Sequence, residues 1–520
     1  MKKINKISLL FILPLVLTGC SFTGGGDNNK QDSSATSLSS NSQEVVTSSQ
    51  NTPSSESKSS SKATSSQNAS SSAQKSSSSQ QSSSAQQSSS APTTSYNIPE
   101  GFTPYRANIP VELEASLNKS AGKYDLEFAY DDSYFYGDHN TYDQNLSLLS
   151  FGGSVAAFEK ASAISFYENA GFSDVTTYNY DKTPSKTSIA YTFAHKKLYG
   201  EDEMVAIAIR GSNYGLEWSD NFLIGEEGYH EGFKARAEEI AMNFMEYSST
   251  YTKAYANQII IWITGYSRGG AVANALSNLF NPQIYLFTYT FEAPATVDKS
   301  VLKNRHDVHN VRNSSDIITC IPPSLYGMTR CGIDYDIAND NYPFYVHMLD
   351  NNINIPELVT VTINSVKYDN DADIANAIVN YAFREDSSSN KTASNRSEYV
   401  DRYQLAFCDV VGLLFAMSES TRNEMIEAMN AMNPLAKLLM ISSGSALADF
   451  FKPYFDQDNL HYDNDELPNQ CQAVSDALVN LLTPVLTLYA DPETQPAITR
   501  IINLHYPEVT YSLLKYSDFR

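Results

Sequence analysis

The stretch that most constrains this chain runs from Ile259 to Leu276, IIIWITGYSRGGAVANAL. The β-branched run Ile259 to Ile263 predicts a strand, and the small residues from Gly269 onward fit a helix. Between them Ser267 stands at the centre of Gly265-Tyr266-Ser267-Arg268-Gly269. Strand, tight turn and helix together would project the serine hydroxyl clear of a sheet. The backbone N–H of Arg268 would then be available to stabilise an oxyanion. The two glycines would let chain segments pass close to a residue held in a strained conformation.

The remaining sequence divides by composition. Residues 1–20, MKKINKISLLFILPLVLTGC, have a basic start at Lys2, Lys3 and Lys6, an apolar run from Ile7 to Leu17, and a Thr-Gly-Cys ending. That is a secretory signal by charge and length, too short and wrongly flanked for a permanent membrane span. Its ending resembles a bacterial lipobox, which implies that Cys20 becomes the lipidated first residue of the mature protein. The expected location is therefore extracytoplasmic, anchored by lipid to the cell membrane and not crossing it.

Residues 21–95 are dominated by Ser, with Gln, Ala and Thr, and nearly lack aliphatic or aromatic side chains. Such a segment cannot bury enough apolar surface to offset its ordering entropy, so a disordered tether is expected. A coil of this length would average roughly 45–50 Å end to end and stretch to about 250 Å. A spacer of that reach suits a Gram-positive cell wall.

The formal net charge is −23. The leader contributes three lysines, and over 21–95 four acids balance four bases, so residues 96–520 carry −26. A domain this acidic should repel nucleic acid. No His/Cys spacing suggests zinc. Beyond Cys20 the cysteines are Cys320, Cys331, Cys408 and Cys471. Outside the cytoplasm these could pair, and Cys320 with Cys331 closes the shortest loop.

From 96 to 520 the pattern is mixed α and β without internal repeats. A helix is expected over 153–170, where Val155, Phe158, Ala161 and Ile164 recur at helical spacing. Strands are expected over Thr187 to Phe193, Met204 to Ile209 and 283–292.

Several of these segments resemble the class 3, fungal-type lipase family of the α/β-hydrolases. In IAIRGSNYGLEWSDN a strand ends in Arg210-Gly211-Ser212, as on that family's oxyanion side; Ser212 matches the oxyanion-hole position, and Trp218 and Asn221 match later ones. The family's His-x-Gly-Phe segment is similar to His230, Gly232 and Phe233, and implies a structural histidine opening a helix. HNVRNSSDIITCIPP looks like the segment carrying the triad acid, which puts Asp316 in that role. Tyr266 and Arg268 stand where His and Leu commonly flank the family's serine. The resemblance spans roughly 185–325. It implies an α/β-hydrolase fold with a central, mostly parallel sheet. A carboxylate at 316 would hold a catalytic imidazole in the right tautomer; by residue type alone Asp316 could equally cap a turn after Ser314-Ser315.

The chain has 8 histidines. The α/β-hydrolase order Ser, Asp, His leaves His347, His461 and His505. His347 lies in YPFYVHMLD, where it could simply pack among aromatics, and His461 lies in a polar, acidic stretch. His505 ends an apolar approach and precedes Tyr511. The family's histidine commonly sits near the C-terminus with a tyrosine packing beside it, which favours His505.

A base at 505 implies an insertion over about 350–495. Helical spacing is seen over Asp371 to Ala382, Tyr399 to Met417, Thr421 to Met432 and Ala473 to Tyr489, with Thr421 and Glu424 in capping-box form. Helical insertions commonly close active sites. Met417, Met425, Met429, Met432 and Met440 could line a lipid-binding surface or fill a helical core.

These features together lead to an expected serine ester hydrolase acting on acyl esters, lipid-like in kind. Ser267, His505 and Asp316 would form the triad, and the N–H groups of Ser212 and Arg268 the oxyanion hole. No metal or organic cofactor is required, and neither nucleic acid nor an obligate protein partner is expected. The rival from another class is a non-catalytic surface lipoprotein that uses a hydrolase scaffold for binding or adhesion.

Overall fold

The computed structural model describes residues 96–516, apart from 119, 181–188, 212–219, 254–258, 338–352, 354, 364, 383–392, 394, 478–487 and 489–490. The leader and tether expected over 1–95 lie outside the described residues.

Apolar side chains on both faces of consecutive strands build the centre of the molecule. Seven strands form one sheet: β3 (Ser173–Tyr178), β4 (Tyr191–Lys197), β5 (Glu203–Ile209), β6 (Ile259–Tyr266), β7 (Tyr285–Phe291), β8 (Val308–Arg312) and β9 (Ile333–Asp336). Their order is β9-β8-β7-β6-β5-β4-β3. The run β5 to β9 is parallel, while β3 and β4 are antiparallel additions at one side.

Alternation along each strand divides the core into two layers. Met204, Ala206 and Ala208 of β5 face one side with Trp262 of β6, against α1 (Gln144–Ala156) and α2 (Lys160–Asn169). Val205, Ile207 and Ile209 face the other side with Ile261 and Ile263, against α3 (Glu231–Tyr251) and α4 (Arg268–Leu279). Each fully buried aliphatic side chain contributes about 1.5–3 kcal/mol. Trp262 keeps its indole N–H satisfied by donating to Ser150 Oγ at 2.8 Å. A separate antiparallel hairpin, β1 (Arg106–Glu114) and β2 (Lys123–Asp131), packs onto the first layer.

Parallel strands covered by helices on both faces make this an α/β-hydrolase fold, as expected. Register brings the ends of the strands level: Gly265 pairs with Ile209 and with Thr290, which pairs in turn with Asn310. The turns after β5, β6, β7 and β8 therefore open on one edge, the carboxyl edge where open α/β sheets carry their sites.

The expected helix over 153–170 is instead two, α1 and α2, broken at Ala157 to Glu159. There the N–H of Phe158 turns to the i−3 carbonyl of Val155 at 3.1 Å, and Tyr180 donates to the carbonyl of Ala157 at 2.8 Å. Tightening of the last turn ends the helix although its apolar spacing continues.

The insertion is mostly helical: α5 (Asp371–Ala382), α6 (Glu419–Ala431), α7 (Pro434–Ile441), α8 (Gly444–Gln457) and α9 (Leu467–Ala477). Between α5 and α6 a further helical run joins Arg396–Tyr399 to Gly412–Ala416 through π-type turns. Ser418 caps α6, its hydroxyl accepting from the N–H of Thr421 at 3.3 Å, so the box expected at Thr421 begins one turn earlier. Helix α9 starts at Leu467, ahead of the expected Ala473. Met417, Met425, Met429 and Met440 lie in a core of the insertion's own with Leu447, Phe451 and Phe455, and Met432 packs against it half-buried. The core reading of these methionines is the one realised. Arg396 fastens the insertion to the body, donating to the carbonyls of Gly225, Ile224 and Tyr229 at 2.6, 3.0 and 2.9 Å and pairing with Asp298 at 3.1 Å. The chain closes with α10 (Gln495–Asn503) and α11 (Pro507–Tyr516). No described helix is long and apolar enough to cross a membrane.

The expected Cys320–Cys331 disulfide is not formed. None of the four described cysteines is in a disulfide. Cys331 Sγ lies 3.9 Å from the carbonyl of Lys303, whereas Cys320 Sγ lies 3.7 Å from that of Asp316. The backbone N–H of Cys331 is held by Asn274 Oδ1 at 3.0 Å. Their backbones and side chains are thus committed to different neighbours.

Candidate active site

Ser267 occupies the turn between β6 and α4 with φ 54° and ψ −122°. This left-handed conformation is unusual for a side chain bearing a Cβ, and close packing enforces it. A Cβ on Gly265 would lie 2.4 Å from the backbone of Gly269, and one on Gly269 would lie 2.4 Å from the carbonyl oxygen of Ile209. Only glycine fits at either position, so β6, α4 and β5 meet backbone to backbone. The N–H of Ser267 donates to the carbonyl of Phe291 at 2.8 Å, fastening the turn to the end of β7.

His505 arrives from the other end of the chain, in the link between α10 and α11. Its Nε2 lies 2.8 Å from Ser267 Oγ, and its Nδ1 lies 2.5 Å from Asp316 Oδ2. Asp316 is completely buried, while the His505 side chain keeps 14% of its surface open. The other oxygen of Asp316, Oδ1, accepts from the N–H of Ile318 at 2.8 Å and caps a short 3-10 turn, Ile317–Cys320. Turn cap and imidazole partner, the two roles open for Asp316 in the sequence, are filled by its two oxygens.

Ser212, Trp218 and His347 lie outside the described residues. His461 is exposed in the link between α8 and α9. Arg268 begins α4 with its side chain buried, 3.3 Å from Asp220 Oδ2. His230 is buried before the first residue of α3, stacked on Phe233, with Nε2 3.3 Å from the carbonyl of Asn221. Burial pushes its imidazole down to about 3, so it is neutral and structural.

Residue spacing gave no sign of the groups around the imidazole. Tyr266, buried next to Ser267, donates to the carbonyl of His505 at 2.7 Å and lies 2.9 Å from Thr510 Oγ1. Thr510 Oγ1 in turn lies 3.0 Å from Glu292 Oε1. A Glu directly after the third strand of the parallel run, with positive φ, is a readable oddity only once the turn is known. Among the described residues no group of His, Cys, Asp and Glu could hold a metal ion.

Residues 206–326 match the family model described as Lipase (class 3). Over that segment the chain is similar to the class 3 lipase family. The matched residues run from β5 through Ser267 and Asp316 and stop before His505. That likeness supports a carboxylic ester hydrolase of lipase type. No curated protein matches the chain.

Solved structures similar to the chain include the Rhizomucor miehei lipase–propeptide complex, at 17% identity over 38% of this chain and 68% of that one, TM-score 0.26. A lipase from Rhizopus microsporus var. chinensis shows 15% identity over 49% and 86%, TM-score 0.28. A triacylglycerol lipase from Penicillium expansum shows 14% over 37% and 80%, TM-score 0.26.

Proposed function

We propose that Ser267, His505 and Asp316 are the catalytic triad of this ester hydrolase and that its substrate is a lipid-like acyl ester. The single observation that carries the reading is the unbroken line Ser267 Oγ, His505 Nε2, His505 Nδ1, Asp316 Oδ2, with steps of 2.8 and 2.5 Å around one imidazole.

In this reading His505 Nε2 takes the proton from Ser267 as Oγ attacks the ester carbonyl. Asp316 Oδ2 fixes the tautomer in which Nδ1 carries a hydrogen, and it stabilises the cation that forms. The oxyanion would be held by the N–H of Arg268, first in α4, and by that of Ser212, the two donors to which the sequence points. Collapse of the tetrahedral intermediate breaks the ester C–O bond, and the leaving alkoxide takes the proton from Nε2. Water, deprotonated by His505 in its turn, then cleaves the acyl–Ser267 ester and restores the serine. The lipid-like substrate rests on the family's description.

Full-length protein assayed on p-nitrophenyl butyrate and on long-chain esters tests this. Ser267→Ala should lower kcat on the order of 10⁶-fold and abolish labelling by a fluorophosphonate probe. Undiminished turnover in that variant would sink the triad. Failure of wild type to label or turn over would return the scaffold to the adhesion reading.

The sequence of residues 1–95 supports an extracytoplasmic, lipid-anchored placement through Cys20 and a Ser-rich spacer before a hydrolase domain at 96–520. Incorporation of labelled palmitate that persists in Cys20→Ala would refute the anchor.

A further inference from the structure

Glu292 directly follows β7 with φ 47°, in the left-handed region that glycine adopts freely and other residues seldom do. It is fully buried. Its carboxyl touches two of the three segments that meet at the triad, and the residue before it touches the third. Oε2 accepts from the N–H of Asn313 at 2.8 Å, and Asn313 in turn accepts from the N–H of Asp316 through its carbonyl at 2.9 Å. Oε1 lies 3.0 Å from Thr510 Oγ1 on α11, the helix that follows His505. The residue before it, Phe291, accepts the N–H of Ser267.

Counting protons fixes the state of this carboxyl. The carbonyl of His505 can only accept, so at 2.7 Å the one phenolic hydrogen of Tyr266 is spent there. In the 2.9 Å contact between Tyr266 and Thr510 the hydrogen must then come from Thr510. Thr510 has no second hydrogen; with one bond per hydrogen, the 3.0 Å contact with Glu292 is donated by a carboxylic acid, the reverse of the direction an ionised carboxylate would require. Every oxygen in the row is then satisfied.

We infer that Glu292 is a positioning residue: a neutral carboxylic acid heading the donor row Glu292, Thr510, Tyr266, His505 carbonyl, which seats the imidazole between Ser267 and Asp316. The inference rests on the triad reading above. The charged and titratable groups facing the carboxyl agree with a neutral state. Burial and the nearby Asp316 push its ionisation well up, against opposition from Arg312. Of the two buried carboxyls, Glu292 is then the acid.

Glutamine reproduces a neutral acid here, with Nε2–H donating to Thr510 and Oε1 accepting from Asn313; leucine reproduces neither. The test measures kcat and KM on p-nitrophenyl butyrate, with thermal melts, for full-length Glu292→Gln, Glu292→Leu and Thr510→Val. Glu292→Gln should stay within about threefold of wild type, the scale of one neutral hydrogen bond exchanged for another. Glu292→Leu and Thr510→Val should lower kcat by about 30-fold or more through a misplaced imidazole, with KM within about twofold.

A glutamine variant as poor as the leucine one would mean that an anion is needed, and would overturn the neutral-donor assignment. A Thr510→Val variant within about threefold of wild type would overturn the positioning role. If Glu292→Leu does not fold, the glutamine and valine variants decide. Turnover surviving in Ser267→Ala would remove the triad itself, whereas an inactive Ser267→Ala with an indifferent Glu292 series removes only this inference.

Discussion

The phenol of Tyr266 donates to the backbone carbonyl of His505 at 2.7 Å although 239 residues separate them in the chain. The residue next to the nucleophile candidate thereby holds the main chain of the base candidate, and the imidazole's place depends on a fully buried side chain.

Tyr266→Phe should therefore be felt at the imidazole. Its ring packs edge-on to Phe151 and tilted on Phe158, contacts that phenylalanine keeps. Lost are the bonds to His505 and Thr510, leaving buried polar atoms unpaired. The expected cost is about 1–2 kcal/mol of stability and roughly tenfold in kcat, read from melting curves and steady-state rates. Wild-type kcat would show that His505 is seated without Tyr266.

Asp316 should separate its two tasks by substitution. Asparagine keeps an acceptor for the N–H of Ile318 but presents an amide to Nδ1, favouring the wrong tautomer. Asp316→Asn should lose on the order of 10⁴-fold in kcat, the scale set by the corresponding change in serine proteases, with stability within about 1 kcal/mol of wild type. Asp316→Ala should lose similar activity and a further ~1 kcal/mol through the missing cap. Equal stability of the two variants would show that the cap contributes nothing.

Glu508 gives stability a pH dependence. It is buried in the first turn of α11, and Oε1 accepts from the N–H of Leu117 at 2.7 Å, in the turn of the β1–β2 hairpin. Burial pushes the carboxyl up to about 7, opposed by that N–H. A raised folded-state value means that the folded protein holds a proton the unfolded chain has released. The stabilisation is complete below about 4.5 and is lost as pH rises through about 7. Glu508→Gln stays neutral throughout, so between pH 5 and pH 8 wild type should lose about 2–3 kcal/mol relative to it. Parallel stability profiles from denaturant titrations would refute this.

Gly269→Ala should be among the most damaging single-methyl changes in the protein. The added carbon meets the Ile209 carbonyl oxygen at 2.4 Å, where neither β5 nor α4 can move without opening the sheet. A loss of about 3 kcal/mol or more is expected, visible as insoluble or early-melting protein. A variant that melts with wild type would mean that the turn can relax.

How much of this was legible differs from element to element. The strand, turn and helix around Ser267 follow from local residues alone, because a β-branched run, paired glycines and small helix formers all agree over 18 residues. Helix α5 spans Asp371–Ala382 as its spacing predicts. Asp316 was readable only through resemblance, since a carboxylate after two serines carries no signal that separates a cap from an imidazole partner. His505 needed chain order, and its bond to Ser267 crosses 238 residues that no period records.

The break between α1 and α2 escaped the sequence because a tightened turn and the Tyr180 hydroxyl decide it against unbroken apolar spacing. The thiols stayed apart because Asn274 claims the backbone of Cys331, a preference no loop-length argument contains. Glu292 and Thr510 were illegible as a pair, since each reads alone as an ordinary strand or helix residue.

The seating of His505 in the link between α10 and α11 would, on the proposed triad, also fix when the protein can work. A chain still emerging from the ribosome displays the Ser267 turn and the Asp316 turn long before residue 505 is made, and the whole helical insertion must be synthesised in between. Until α11 docks, Ser267 and Asp316 lack the imidazole that lies 2.8 and 2.5 Å from them, so on the proposed triad a partly made copy would not hydrolyse esters. Under the proposed triad, chain order by itself would keep an unfinished copy inactive.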